Sequence, residues 1–253
     1  MKITVCEFPN DRKDFETAWF RLCEHCKENQ SEFVVLPEMP FETWLAATQD
    51  VSDAKWISAI REHAQWFERL SELGVEIVAS SRPAIIEEKR YNVGFLWTEA
   101  DGVIDVHAKH YLPEEPGFWE ATWYSRGPKE FRSFQMPKAR IGFLICSELW
   151  FNKHARDYGK DGVQIILSPR ATESRTTDKW IMGGRAVSVI SGAYCLSSNR
   201  AWNSKNSAVG WIIEPEHGEV LGLTSSAKPF LTLDIELDRA DKAKSSYPRY
   251  VLD

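Results

Sequence analysis

An α/β domain, rich in sheet and with helices on its outside, is the fold this sequence predicts. Three observations predict it. Short apolar runs bounded by turn residues alternate with segments whose apolar residues recur every three or four positions. Two pairs of β-rich runs are joined by tight turns, so hairpins interrupt the alternation. No internal repeat, low-complexity linker or break divides the 253 residues, so 1–253 reads as a single domain with 240–253 as a C-terminal tail.

The elements follow in order. KITVCE at 2–7 is a first strand. From Asp14 to Asn29, Phe15, Trp19, Leu22, Cys23 and Cys26 fall at helical spacing. FVVLPE at 33–38 is the second strand. A second helix is expected from Asp53 to Leu73, with Trp56, Ile57, Ile60, Ala64, Phe67 and Leu70 on one stripe and Gly74 as its stop. VEIVAS at 75–80 is the next strand. YNVGFLW and GVIDVHAK form a hairpin about Asp101-Gly102. RIGFLICSE, a helix around His154–Lys160 and VQIILSP follow, then a helix around Asp178–Ser191 and AYCLSSN. SAVGWIIEP, which begins at Ser207, and VLGLTSS flank an EHGE turn, and PFLTLDIEL ends the regular part.

Composition narrows the function. A net charge of −6 and the absence of any basic block argue against a nucleic-acid partner. No segment approaches the ~20 apolar residues of a membrane span, and MKITVCEFPNDRKDF lacks the apolar stretch of a signal peptide. A cytoplasmic protein is expected, with no membrane partner. The five cysteines fit free thiols in a reducing compartment rather than a disulfide framework. Cys23-x-x-Cys26 has no second ligand pair, so neither a metal nor a cofactor is expected.

Three strand ends carry chemistry. Phe33-Val34-Val35-Leu36 is stopped by Pro37, and the carboxylate of Glu38 follows at once. Phe143-Leu144-Ile145 ends at Cys146, before polar Ser147 and Glu148. Lys109 closes the run GVIDVHAK. Each has an ordinary alternative: a surface acid, a buried small apolar residue and a solvated lysine. Together they are more telling, because ligands of an α/β sheet gather outside the strand ends. A cysteine at such an elbow can aim its sulfur into a cleft while its own and the next N–H stay free for an oxyanion. Phe41, Trp44, Trp119 and Trp150 adjoin these motifs and suggest aromatic pocket walls. Arg170, after IILSP, either meets a substrate carboxylate or makes a surface or helix-capping salt bridge; Arg175 is a weaker candidate.

VVLPE, the segment HAKHYLPEEPGFWE and GFLICSELW together resemble the nitrilase superfamily of carbon–nitrogen hydrolases. The similarity runs from KITVCEF through Asn199-Arg200 to PFLTLDIEL. The loop KHYLPEEPGFWE is most similar to the N-carbamoyl-amine amidase branch. Ser147-Glu148 departs from the pattern, since many relatives carry an aromatic residue and Asp there, and this places an acid near the expected pocket, within reach of an amine on the substrate.

The resemblance implies a four-layer α-β-β-α sandwich that pairs into a homodimer or a higher homo-oligomer. It implies a Glu38–Lys109–Cys146 triad, with Glu120 as a supporting second glutamate, Glu114 or Glu115 being weaker choices, and the Ser147 N–H as oxyanion donor. The substrate it implies is a small amide or N-carbamoyl compound. A small nitrile, acyl transfer to an amine, or a non-catalytic binding role are the alternatives.

Overall fold

The computed structural model of the protein describes residues 1–202 and 209–251. Residues 203–208 and 252–253 lie outside the described residues, and with them the start of the strand expected from Ser207 and the end of the expected tail. The elements are β1 (Lys2–Pro9), α1 (Phe15–Asn29), β2 (Phe33–Val35), α2 (Asp53–Phe67), β3 (Ile77–Ile86), β4 (Lys89–Thr98), β5 (Gly102–Ala108), α3 (Glu120–Trp123), β6 (Phe134–Gln135), β7 (Arg140–Phe143), α4 (Asn152–Lys160), β8 (Ile165–Leu167), α5 (Thr177–Ser191), β9 (Tyr194–Ser197), β10 (Asn199–Ala201), β11 (Trp211–Ile213), β12 (Val220–Leu223), β13 (Phe230–Asp234) and α6 (Leu237–Ala243).

They build two mixed sheets. One runs β10-β1-β2-β3-β4-β5, with β13 also paired to β1; the other runs β12-β11-β9-β8-β7-β6. The two-residue alternation of each strand sorts the side chains between layers. Ile3, Val5, Phe33, Val35, Ile77 and Ala79 face inward and meet Ile141, Phe143, Ile165 and Leu167 between the sheets. Cys6, Phe8, Val34 and Val78 face outward under Trp19, Leu22 and Trp66 of α1 and α2. Leu144, Ile166, Cys195 and Trp211 face outward on the other side, under Ala155, Tyr158 and Val187 of α4 and α5. The result is the expected α-β-β-α sandwich. Gly94 lets the sheets close near the strand that leads to Cys146: a Cβ there would lie 2.9 Å from the Phe143 ring.

Three boundaries differ from expectation. Helix α2 ends at Phe67 rather than Leu73, a 3-10 turn over Leu70–Leu73 taking its place. Its buried stripe is Trp56, Ala59, His63 and Trp66. Trp56 is on it as expected and Leu70 is buried beyond it, but Ile57, Ile60, Ala64 and Phe67 fall one position off, and Ile57 is exposed. A polar residue defines the true face: the His63 ring is satisfied inside, one nitrogen bonded to the Ala59 carbonyl and the other accepting the Phe41 N–H. Strands β3 and β4 reach much further than VEIVAS and YNVGFLW, joined at Glu87-Glu88, both left-handed at φ 47° and 64°. Neither is the Gly, Asn or Asp that marks such a turn, so nothing in the sequence flags it. Helix α6 covers 240–243, with Ala240 and Ala243 fully buried, so the irregular C-terminal segment begins after Ala243 rather than at 240.

Candidate active site

The first sheet presents Glu38 just beyond β2 and Lys109 just beyond β5. The second presents Cys146 just beyond β7. The loop ends are stitched in place: Glu38 N–H donates across the sandwich to the Arg170 carbonyl (3.3 Å), while within each sheet Cys146 N–H donates to Pro169 (3.1 Å) and Lys109 N–H to Asn92 (2.9 Å). Arg200, fully buried, donates to the carbonyls of Glu38 (3.1 Å) and Met39 (2.5 Å), clamping the Glu38 loop by its backbone.

At the centre, the Lys109 ammonium donates to Glu38 Oε1 (2.7 Å) and Glu120 Oε2 (2.6 Å), all three side chains essentially inaccessible to solvent. Asn92 Nδ2 donates to Glu38 Oε1 (2.7 Å), and the Tyr124 hydroxyl donates to Glu120 Oε2 (2.5 Å). Burial alone would drive the lysine toward neutrality; the fields of Glu120 and Glu38 outweigh it, and the ammonium is held above its ordinary range. Glu120 is pushed up to about 7, by burial first and by the neighbouring Glu38, with Lys109 opposing. Glu38 Oε2 is buried and has no hydrogen-bond partner among the described residues. A lone acceptor of this kind is costly unless it has a task.

Cys146 sits at a left-handed elbow, φ 47°, where a 3-10 turn over Cys146–Trp150 begins. Burial, and then the Glu38 charge, raises its thiol well above the ordinary range, against the pull of Lys109. Its own N–H is bonded to Pro169 and is not free for an oxyanion, contrary to expectation. The Ser147 N–H is a first-turn donor with no acceptor carbonyl among the described residues.

Only 4% of Cys146 is accessible, on the floor of a cavity of about 230 Å³. Glu120 and Ser147 share that floor, Phe118, Trp150 and Trp180 form walls, and Glu115, Arg175 and Lys179 stand at the mouth. The Trp150 and Trp180 rings lie 5.1 Å apart, and the Lys179 ammonium sits 5.6 Å over Trp150. Of the expected aromatic walls, Trp150 is therefore in place.

Three expected substrate contacts are not. Phe41 is fully buried in the core under α1 and α2, stacked on Trp66 at 5.0 Å. Trp119 packs against the buried cluster that holds Trp44 and Trp56 and does not line the cavity, and its neighbour Phe118 lines it instead. Arg170 is buried, its guanidinium 3.8 Å from the Trp211 ring and bonded to Ser197 (2.7 Å), Thr172 (2.8 Å) and the Val209 carbonyl. It braces β8 against β9 and does not face the cavity. Glu148, expected near the pocket, is also fully buried with both oxygens occupied by protein donors. Trp180, Phe118 and Lys179 were missed. Trp180 and Lys179 lie at the start of α5, beyond any of the three motifs, and only the fold brings them to Cys146.

A sandwich of two sheets with a cysteine on a strand-end elbow, above a buried lysine and two buried glutamates, has the form of a cysteine-nucleophile hydrolase. The chain belongs to the carbon–nitrogen hydrolase family, whose model matches residues 3–242. It is 27% identical over 195 residues to the omega-amidase of Xenopus tropicalis, an alignment covering 72% of this chain and 70% of the relative. It is 30% identical over 130 residues to the N-carbamoylputrescine amidase of Solanum tuberosum, covering 47% of this chain and 40% of that one. Its fold superposes on a crystal structure of a carbon–nitrogen hydrolase from Helicobacter pylori G27 with a TM-score of 0.84, at 18% identity, over 98% of this chain and 94% of the other. Among the described residues no helix is long and apolar enough to cross a membrane.

Proposed function

We propose that this chain hydrolyses the C–N bond of a small amide or N-carbamoyl compound through a thioester on Cys146. The observation that carries the reading is the unpartnered Glu38 Oε2, on a carboxylate already bonded to the Lys109 ammonium, in the field of the Cys146 thiol.

Burial and the Glu38 charge favour the thiol over the thiolate, so the attack calls for a base. Glu38 Oε2 takes the Sγ proton as Sγ bonds to the substrate carbonyl carbon. The carbonyl π pair moves to oxygen, and that oxyanion meets the Ser147 N–H and the third N–H of Lys109, whose other two are held by Glu38 and Glu120. Collapse breaks the C–N bond, and the leaving nitrogen takes the proton from Glu38. Water then gives a proton to Glu38 and its oxygen attacks the thioester. The C–S bond breaks, and sulfur recovers the proton. Glu120 keeps the ammonium in register with Glu38. Both relatives are named as amidases, which supports the substrate class.

Wild-type protein should release ammonia or amine from at least one member of a panel of small amides, N-carbamoyl compounds and nitriles, and Cys146→Ala should reduce that release to background. Comparable turnover by Cys146→Ala on the same compound would end the reading.

A further inference from the structure

Glu148 belongs to no part of this mechanism and does not line the cavity, yet it is a fully buried carboxylate two residues from the nucleophile. Its Oε1 accepts the His110 N–H (2.7 Å). Its Oε2 is 2.7 Å from His107 Nε2 and accepts the Ile145 N–H (2.9 Å). His107 and His110 bracket Lys109; Ile145 precedes Cys146. One carboxylate thus ties the lysine's strand end, on the first sheet, to the cysteine's elbow, on the second. A parallel strap runs beside it, from the Ser147 hydroxyl to the Tyr111 carbonyl (2.5 Å).

We propose that Glu148 is a positioning residue that sets the placement of the Cys146 sulfur relative to the Lys109 ammonium. Two features make the carboxylate specific for this task. Every bond it makes to the backbone is an accepted one, and both oxygens are engaged from opposite segments. An amide of the same shape fails in either orientation, because its NH2 must face a backbone N–H, donor against donor. The additional methylene of Glu over Asp extends its reach between the two sheets.

The proposal rests on the reading of Cys146 as nucleophile, so its test does not depend on turnover. The rate of Cys146 alkylation by iodoacetamide, an amide-shaped electrophile that fits the same floor, is measured from pH 6 to 9 by mass spectrometry in wild type, Glu148→Gln and Glu148→Asp. The other cysteines are internal references: Cys6, Cys26 and Cys195 are buried, and the thiol of half-buried Cys23 is pushed up to about 11, chiefly by burial. A displacement on the order of 1 Å costs about a hundredfold in a positioned reaction, so Glu148→Gln should alkylate at Cys146 about a hundredfold more slowly while still showing a cooperative thermal transition. Glu148→Asp, with two acceptor oxygens, should recover about tenfold of that loss. On any amide the wild type hydrolyses, kcat should fall and KM should hold. A folded Glu148→Gln with wild-type alkylation rate and pH profile overturns the proposal. So does a loss matched by new reactivity at Cys6, Cys26 and Cys195, which would report general unfolding. Absence of amide turnover in the wild type would instead count against the function proposed above and leave the alkylation comparison readable.

Discussion

The floor of the cavity and its mouth are built on opposite principles. At the floor and just beneath it, the charged side chains are buried and held by protein partners: Lys109 by Glu38, 71 residues away, Glu38 by Asn92, 54 residues away, and Glu120 by Lys109 and Tyr124. At the mouth, the groups are half in water: Arg175 pairs with Glu173 (2.5 Å), both well exposed, and Lys179 lies over a Trp150 that is 36% accessible. Exposed pairs of that kind contribute about 0–1 kcal/mol, so the mouth can change its residues at little cost to the fold. The floor cannot. Chemistry is thus locked into strand ends, and selectivity is left to side chains that are free to vary.

The sharpest way to break this contrast is Lys109→Met. It leaves two buried carboxylates facing each other, so about 3–5 kcal/mol of stability should be lost together with a rate loss of three orders of magnitude or more, measured by urea unfolding and steady-state kinetics. A stable, active variant would mean the floor is no more constrained than the rim. Next in size, Trp150→Ala should raise KM about tenfold, the equivalent of about 1.4 kcal/mol, with kcat and thermal midpoint nearly unchanged; a fall in kcat of the same size would place Trp150 in the floor. The smallest effect is on pH. Burial pushes Glu148 up, but the His107 ring and the donated N–H groups more than reverse this, and its carboxyl is held below the ordinary 4.5. Unfolded, the group binds its proton more readily than folded, so its contribution is complete above pH 4.5 and is lost as pH falls through the lower folded value. Urea midpoints should therefore decline below pH 4.5 in the wild type and decline less steeply in Glu148→Gln.

Glu38, Lys109 and Cys146 were legible in sequence because each follows an apolar run, and a strand end is visible as a change of residue class. Glu120 was legible only by resemblance, since its four-residue helix carries no periodicity of its own. The walls were harder. Phe41 and Trp119 stand as near the motifs as Trp150 does, but chain direction turns Phe41 into the interior and lays half-buried Trp119 against the Trp44 cluster. Arg170 illustrates the same limit: its strand-end position was correctly read, while the stacking on Trp211 that turns it from the cavity depends on β11, some forty residues later. Glu148 was read by proximity as a pocket acid, and its three donors from two sheets are invisible in one dimension.

The left-handed backbone at Cys146 carries one more consequence. A side chain at that conformation costs about 1–3 kcal/mol, which glycine would largely avoid. The fold therefore keeps its most reactive atom at a spot the bare chain would rather leave empty, and Cys146→Gly, though inert, should be among the few floor substitutions that unfold no more easily than the natural protein.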